Sequence, residues 1–389
     1  MATPLYLDHA ASTPVRPEVR DAILPFLGDV YGNPSSAHAA GRDARVRLER
    51  ARRDIAEALD ADPRGVIFTS GGTEADNLAV LGAVLAASRH GRERHVVVSA
   101  VEHKAVLAAA HAGCRAGADE TILGVDAAGQ PDLDGLDQAL ARRPALVSMM
   151  WVNNETGVVL PIADLARRCR AADVPLHTDA VQAVGRLPVA LAGTGCAALT
   201  VSGHKLGAPK GIGALLLADP DLLDPLQHGG SQQGGLRPGT ENVAFAVGLA
   251  VAVQLAVAEQ AREGARLVAL RDDLERRLLA ALPDALVVGH DAPRAPHISA
   301  LVMPGVRSGP LVAQLDSLGV AASSGSACTT GTPEPSHVLA AMGVPREHAL
   351  GFLRLSLGAT TTAATIAAAA AAIPGAVAGS RRLAEALHG

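Results

Sequence analysis

Two polar segments follow candidate strands and carry side chains that could do amine and acid chemistry. Lys205 ends the segment of residues 202–205, and Asp179 lies in the segment of residues 177–182. A lysine becomes an imine-forming nucleophile only where a structured, partly desolvated pocket keeps its amine partly deprotonated. A carboxylate beside a protonated ring nitrogen makes a bound heteroaromatic ring an electron sink. Alone, Lys205 would be a solvated surface residue and Asp179 a helix cap, so their neighbours decide the interpretation.

A glycine-rich turn supplies a third element, which suits an anion. Residues 69–77 run from a strand candidate through Gly71 and Gly72 into a helix start. The N–H groups and the positive end of a helix form a phosphate cradle, and Thr73 adds a hydroxyl. The stretch from Thr73 to Asp76 also matches an ordinary capping box, and it is neither a Walker sequence nor a G-x-G-x-x-G motif.

His103 and Asn154 each follow a further strand candidate. An imidazole there could stack on a cofactor ring and move protons near neutral pH, although a histidine in this position is more often structural. Asn154 could donate to a phenolic oxygen of the cofactor. Five polar segments in the order phosphate cradle, His, Asn, Asp, Lys are hard to explain as independent helix caps, and together they indicate a pyridoxal-phosphate site.

The elements that position these segments form a regular pattern. From about residue 64 onward, short β-branched runs alternate with longer helical patterns, which predicts an α/β fold with a mostly parallel sheet covered by helices. Ligands of such open sheets bind at the carboxyl edge, where the polar segments lie. The predicted strands are residues 65–69, 95–99, 145–150, 175–178, 198–201 and 213–217, with residues 299–303 and 354–357 in a smaller domain.

Length and patterning predict two domains. The chain of 389 residues exceeds the size at which one hydrophobic core usually stops growing. Over residues 243–282 a helical pattern changes midway from apolar to charged, as expected of a long helix that leaves one domain for another. We expect a large domain of residues 14–260 and a small domain of residues 1–13 and 261–389, the latter carrying a loop at residues 322–335.

Charge and composition favour a small molecule or a protein as partner. The formal net charge is -5, and no run of five or more Lys or Arg marks a nucleic-acid or membrane footprint. The longest uncharged stretch, residues 243–258, is short for a bilayer span, and the N-terminus lacks signal-peptide features. We therefore expect a cytoplasmic protein that binds neither membrane nor nucleic acid. We interpret the arginine-rich residues 42–54 as a solvated helix face, and the alanine-rich residues 366–373 as a surface helix.

The four cysteines lie far apart, and none forms a C-x-x-C pair. This pattern indicates neither a disulfide framework nor a self-contained zinc site. Cys114, Cys169 and Cys196 fit the usual description of a buried small hydrophobe. Cys328 differs, because residues 323–333 are so rich in glycine and hydroxyl side chains that they predict an exposed, mobile loop.

Together these motifs resemble the cysteine desulfurases of the NifS and IscS type, in their group I form. These belong to the class V aminotransferase group of fold-type I pyridoxal-phosphate enzymes. The resemblance covers nearly the whole chain and implies a fold-type I transferase with a sheet of the seven-stranded type and a smaller α/β domain. The matching segments are Tyr6-Leu7-Asp8, Gly32-Asn33-Pro34-Ser35-Ser36, Gly72-Thr73-Glu74, Glu102-His103-Lys104, Asn153-Asn154-Glu155, Asp179 and Gln182, Ser202-Gly203-His204-Lys205, His228-Gly229-Gly230, Arg237-Pro238-Gly239-Thr240 and Ser323-Ser324-Gly325-Ser326-Ala327-Cys328.

The resemblance implies pyridoxal 5'-phosphate as the cofactor and a role for each polar segment. Lys205 would form the imine with the cofactor and shuttle the α-proton, while Asp179 pairs with the pyridine nitrogen and His103 stacks on the ring. The residues that would hold the phenolic oxygen are Gln182 and Asn154. Those that would hold the phosphate are Gly72, Thr73, Ser202 and His204, with Thr240 reaching across from the second subunit of a homodimer.

The same resemblance implies L-cysteine as the substrate. Arg354 matches the residue that clamps the substrate carboxylate, with Asn33 nearby, and a planar guanidinium fork suits that task. The Cys328 thiolate would attack the substrate sulfur, so that alanine leaves and a persulfide remains. The sulfur would go to an iron–sulfur scaffold protein or a tRNA-thiolation acceptor, and Cys328 would share an iron–sulfur cluster with the scaffold during transfer.

Two other functions also fit these residues. Another class V enzyme, such as an aminotransferase or a kynureninase-like lyase, would share the cofactor residues without using Cys328. A catalytically silent scaffold would keep the fold and bind sulfur-assembly proteins. Cys328→Ala tests the first alternative, because unchanged production of sulfide and alanine would discard the desulfurase mechanism. A cofactor absorption band that is lost in Lys205→Ala would exclude the second alternative.

Overall fold

The computed structural model describes residues 5–325 and 335–388, with side chains described up to residue 383. Short strands and longer helices alternate along most of this length. The strands are β1 (Leu5–Tyr6), β2 (Val66–Thr69), β3 (Glu93–Ser99), β4 (Asp119–Leu123), β5 (Pro144–Ser148), β6 (Leu176–Asp179), β7 (Ala198–Ser202), β8 (Gly213–Leu217), β9 (Leu286–Val287), β10 (Ile298–Val302), β11 (Val320–Ala321) and β12 (Phe352–Ser356).

The helices differ widely in length, and the two longest lie in the second half of the chain. They are α1 (Pro17–Ile23), α2 (Ala39–Ala58), α3 (Gly72–Ala86), α4 (Lys104–Arg115), α5 (Leu133–Leu140), α6 (Ile162–Ala171), α7 (Leu191–Thr194), α8 (Val243–Ala281), α9 (Ser308–Ser317), α10 (His337–Ala341), α11 (Arg346–Ala349) and α12 (Ala363–His388).

A seven-stranded sheet, in the order β2-β8-β7-β6-β5-β3-β4, forms the centre of the first part of the chain. Neighbouring strands are parallel except at β8, which runs antiparallel to both β2 and β7. Strands β5 to β8 are buried along their whole length, because helices pack on both faces of the sheet. The predicted mostly parallel sheet covered by helices is confirmed.

Strand β4, at the edge of this sheet, was not predicted. Its sequence opens with Asp119 and Glu120, so it contains no continuous apolar run. An edge strand needs none, because it is covered on fewer sides than a central strand. In β4 only Leu123 is buried, and pairing with the well-patterned strand β3 holds the strand in place.

A smaller antiparallel sheet, in the order β12-β10-β9, lies in the last third of the chain. The parallel pair of β1 and β11 joins the first residues to this region. Leu7, Leu274, Leu353 and Ile373 share one buried core there, so the start of the chain packs with its end. The exact limits of the two predicted domains stay a prediction.

Helices α8 and α12 are long and apolar enough to cross a membrane by length and composition alone. In α8 half of the most apolar window is buried inside the protein, and Leu249 and Val253 pack in the core beside the large sheet. The helix predicted over residues 243–282 is therefore confirmed as a core helix that links the two regions.

Two interpretations of helical segments are confirmed for most of their residues, with buried exceptions. The alanine-rich residues 366–373 belong to α12 and present an exposed face as predicted, whereas Ile366 and Ile373 on the opposite face are fully buried in the small core, because α12 packs on α8 and α9. The arginines of α2 are exposed as predicted except Arg52, which is buried. Its guanidinium donates to Val66 O and to Gln233 Oε1 and lies 5.1 Å from the centre of the Phe68 ring.

Candidate active site

A cavity of about 560 Å³ lies at the carboxyl ends of the parallel strands. Because these strands run in one direction, the polar segments that follow them meet at one edge of the sheet. The structure thus brings these segments together around one cavity. The predicted residues that line the cavity are Gly72, Thr73, His103, Asn154, Asp179, Gln182, Ser202, His204, Lys205 and Arg354.

Three predicted residues are not among those that line this cavity. Asn33 is exposed, and its Oδ1 accepts from Ser35 N at 2.9 Å, so its predicted place beside the substrate is not found within this chain. Thr240 is exposed and lies outside the cavity of its own chain. Cys328 lies outside the described residues, but Gly325, three residues before it, lines the cavity. Within residues 5–325 and 335–388, no group of three or more His, Cys, Asp or Glu could hold a metal ion.

Lys205 lies in a 3₁₀ turn, Gly203–Lys205, directly after β7. Its Nζ donates to Ala10 O at 2.6 Å and to Ala11 O at 2.9 Å. Burial lowers the pKa of Lys205 to about 8, and the nearby Arg354 adds to this effect. A substantial share of the amine is therefore neutral near pH 8, as a nucleophile requires.

Asp179 ends β6 and is buried at the floor of the cavity. Its Oδ1 accepts from Val181 N at 2.9 Å, a local turn contact rather than the helix cap considered from the sequence. Burial raises the pKa of Asp179, and the opposite charges of His103 and Lys205 counteract this rise. The carboxylate is thus poised to accept a positive partner, such as a protonated ring nitrogen.

His103 combines a structural contact with a place in the cavity. It is the N-cap of α4, where its Nδ1 accepts from Ala105 N at 3.1 Å. An acceptor role at Nδ1 places the proton of the neutral ring on Nε2. The side chain of His103 is exposed at the cavity, and desolvation by the surrounding protein lowers its pKa. The ring of His103 is therefore neutral at pH 7. Its Nδ1 has the structural role of a helix cap, whereas the ring also lines the cavity.

The first turn of α3 borders the cavity and is open to an anion. Its N-cap is Gly71, which has no side chain to cap the helix. The alternative interpretation, a capping box of Thr73 and Asp76, is not found, because the N-cap is Gly71. Glu74 accepts from Ser70 N at 2.7 Å and pairs with Arg237. A Cβ on Gly72 would stand 3.1 Å from Val181 Cγ2, so glycine keeps this approach clear. These features suit a phosphate at the helix N-terminus.

Arg354 and Gln182 are held in place by main-chain oxygens from distant segments. Arg354, in β12, is 4% exposed and donates from Nη1 to Asn154 O at 2.8 Å. Gln182 donates from Nε2 to Ala10 O at 2.9 Å. Its Oε1 lies within hydrogen-bond distance of His297 Nε2, at 3.0 Å. Both side chains therefore have fixed orientations at the cavity wall.

Two buried carboxyl groups near the site were missed. Asp76 lines the cavity, and its Oδ1 has no hydrogen-bond partner among the described residues. Glu102, next to His103, is fully buried. Burial raises the pKa of both groups, that of Glu102 to about 8. Asp76 could have been noticed, because it lies on the same helix face as Ala79 and Ala83, where an acid is out of place.

Glu102 predicts a pH-dependent stability. A buried acid with a raised pKa stays protonated while its unfolded counterpart ionises, so wild-type stability falls between about pH 4.5 and pH 8. Glu102→Gln keeps an oxygen for Met150 N and Ser99 Oγ, which now bond Oε1, and cannot ionise. We expect its unfolding free energy relative to wild type to grow by roughly 1–3 kcal/mol from pH 5 to pH 8.

Denaturant unfolding at pH 5 and pH 8 measures this difference. Glu57→Gln, on the exposed side of α2, is the matched control and should show the same offset at both pH values. Parallel stability curves for Glu102→Gln and wild type would show that Glu102 is ionised in the folded protein.

The protein family of this chain follows from its similarity to known proteins. The family model for aminotransferase class-V matches residues 5–368, so the chain belongs to the class V aminotransferase family. It is 45% identical to an IscS-like cysteine desulfurase of Mycobacterium tuberculosis over 99% of both chains. It is also 41% identical to the cysteine desulfurase NifS of Azotobacter vinelandii, over 92% of this chain and 89% of that protein. Within the family, these relatives place it with the cysteine desulfurases of the IscS and NifS type.

A solved structure supports the same grouping. A NifS-like protein superposes with a TM-score of 0.89 and 31% sequence identity, over 97% of this chain and 100% of that one. The seven-stranded sheet is therefore that of the fold-type I enzymes, as the sequence predicted.

Proposed function

We propose that this protein is a pyridoxal-phosphate-dependent cysteine desulfurase that converts L-cysteine to L-alanine and keeps the sulfur on Cys328 as a persulfide. One observation carries the proposal: a single cavity joins Lys205, with its pKa lowered to about 8, to the buried carboxylate of Asp179 and the guanidinium of Arg354. An amine, an acid and a carboxylate-binding fork are the groups that amino-acid chemistry on this cofactor needs.

The residues of the cavity fit pyridoxal phosphate. Asp179 offers a buried carboxylate for the ring nitrogen, and the open first turn of α3 at Gly72 and Thr73 offers N–H groups for the phosphate. Lys205 would offer the amine for the aldehyde, and Ser202 and His204, which also line the cavity, would hold the phosphate. When bound, the cofactor supplies an electron sink for the bonds at the substrate Cα.

The side chains of this protein bind the substrate and move its protons. Arg354 binds the α-carboxylate through its planar fork. Lys205 accepts the α-proton on Nζ and returns it, because its pKa of about 8 lets the amine act in both directions near neutral pH. His103, neutral and with a proton on Nε2, supports the cofactor ring from the start of α4.

The sulfur step needs one thiolate and no external oxidant. The Cys328 thiolate attacks the substrate sulfur, so an S–S bond forms as the substrate Cβ–S bond breaks. The electron pair of the broken bond stays with Cβ, which takes up a proton and becomes the methyl group of alanine. The Cys328 sulfur and the substrate sulfur together form the persulfide, and its outer sulfur can then be transferred to an acceptor thiol.

The proposal also covers the localisation of the protein, its oligomeric state and its sulfur acceptor. We propose a cytoplasmic homodimer in which Thr240 serves the cavity of the partner subunit, since Thr240 is exposed and away from its own cavity. The sulfur acceptor would be an iron–sulfur scaffold protein or a tRNA-thiolation protein. Relatives named NifS and IscS support the first of these.

Product analysis tests the proposed function. Purified protein loaded with pyridoxal phosphate should convert L-cysteine to equal amounts of alanine and, with a thiol reductant, sulfide. Chromatography of amino acids and keto acids with a sulfide assay measures both products. A keto acid with no alanine would identify an aminotransferase, and no turnover by loaded protein would identify a silent scaffold.

A further inference from the structure

Asp8 pairs with Arg354 at the cavity wall. Its Oδ1 lies 2.8 Å from Nη2 of Arg354. Arg354 is almost fully buried, while the Asp8 side chain is 22% exposed. A buried guanidinium interacts strongly with a carboxylate at this distance, because little water screens the pair. Asp8 therefore neutralises much of the charge on the proposed carboxylate-binding residue.

The pairing leaves one edge of Arg354 for a ligand. Nε and Nη2 form a side-on fork that can meet both oxygens of a carboxylate. Across residues 5–325 and 335–388, Nε has no hydrogen-bond partner, and Nη2 donates to Asp8. A ligand carboxylate that uses this fork must share Nη2 with Asp8. Two negative groups would then face one guanidinium, and they repel each other.

The charges of both residues reach the interior of the cavity. The pKa of Lys205 is lowered by the positive charge of Arg354 and raised by the negative charge of Asp8. The backbone of the Asp8 segment also touches the reactive amine, since Ala10 O and Ala11 O accept from Lys205 Nζ. Asp8 thus adjusts the potential at the place where an amino acid would bind.

We propose that Asp8 is a residue that tunes ligand affinity: it weakens the hold of Arg354 on the α-carboxylate of amino acids and so speeds the release of alanine. This inference rests on the proposed function, because it assumes that an amino-acid carboxylate meets Arg354. Alanine carries the same carboxylate as cysteine, so an Arg354 without a counter-charge would retain the product.

Asp8→Asn tests the inference, because asparagine keeps an oxygen for Nη2 and removes the charge. We expect the dissociation constant of L-alanine for the cofactor-loaded variant to fall about tenfold, since one repulsive charge at close range is removed. Calorimetric titration at low and high salt measures it. The alanine affinity of the variant should also depend more steeply on salt than that of wild type. A structural role alone would move neither quantity in this direction.

Tyr6→Phe is the matched control. It removes a hydroxyl that donates to the main-chain oxygens of Asp8 and Ser12 and leaves the ion pair intact, so its alanine affinity should equal that of wild type. Unchanged or weaker alanine binding by folded Asp8→Asn overturns the inference. If that variant does not fold, Asp8→Ser replaces it, and failure of both to fold overturns the inference by showing a structural role. Sulfide production by wild type is judged separately, and its absence counts against the proposed function.

Discussion

Cys328→Ala should lower sulfide release from L-cysteine by at least about a thousandfold, because none of the three cysteines among the described residues lines the cavity. The cofactor and Lys205 remain, so steps that do not involve sulfur should continue. We therefore expect the loaded variant to exchange the α-hydrogen of L-alanine with deuterium at the wild-type rate. A sulfide assay and NMR in D₂O measure the two reactions side by side.

A matched thiol supplies the control. Cys114, in α4, is partly accessible and does not line the cavity. Cys114→Ala should keep wild-type sulfide release. Wild-type rates of sulfide and alanine production in Cys328→Ala would discard the desulfurase mechanism and favour another class V enzyme. Equal loss of both sulfide release and α-hydrogen exchange would show that the substitution damaged the cofactor site instead.

Lys205→Ala should abolish the covalent bond between cofactor and protein and lower turnover by at least about ten-thousandfold, since both the nucleophile and the proton carrier are removed. Borohydride reduction followed by peptide mass analysis detects the bond. The mapping is simple, because the chain has only three lysines: Lys104, Lys205 and Lys210. In wild type the label should lie on Lys205 alone.

Lys104→Ala is the control for this experiment. Lys104 is exposed at the start of α4, so its removal should leave labelling and turnover unchanged. Lys210 also lines the cavity, which makes it the competing site. A label on Lys210 in the wild-type protein, or full turnover by Lys205→Ala, would contradict the assignment. Lys205 is favoured because its side chain is partly buried and burial lowers its pKa to about 8.

The large sheet could be predicted because its central strands are buried on both faces. Such strands are recognised as short runs of β-branched and apolar residues, as in β3, β5, β7 and β8. The edge strand β4 lacks this pattern, because only Leu123 needs to be buried. The alanine-rich part of α12 was predicted as a surface helix, but its buried face could not be assigned, since alanine alone does not show which face will be covered.

The positions of the polar segments could also be predicted from the sequence. Each segment follows a strand, and the direction of that strand decides at which edge of the sheet the segment lies. That information is local, and it is enough to predict that Lys205, Asp179 and His103 lie at one edge of the sheet. The protonation states of these side chains could not be predicted from the sequence. The pKa values of Lys205 and Glu102 depend on how deeply the packed chain excludes water from them.

The amino-acid sequence by itself determined the strand pattern, the order of the polar segments and the chemistry these side chains can do, because all three follow from residue type and short spacing. The tertiary structure alone decided the contacts between distant segments. Asp8 meets Arg354 across 346 positions, and Ala10 O meets Lys205 across 195. No local pattern encodes such pairs, since they arise only when residues near the start of the chain contact both β12 of the small sheet and the turn that follows β7 of the large sheet.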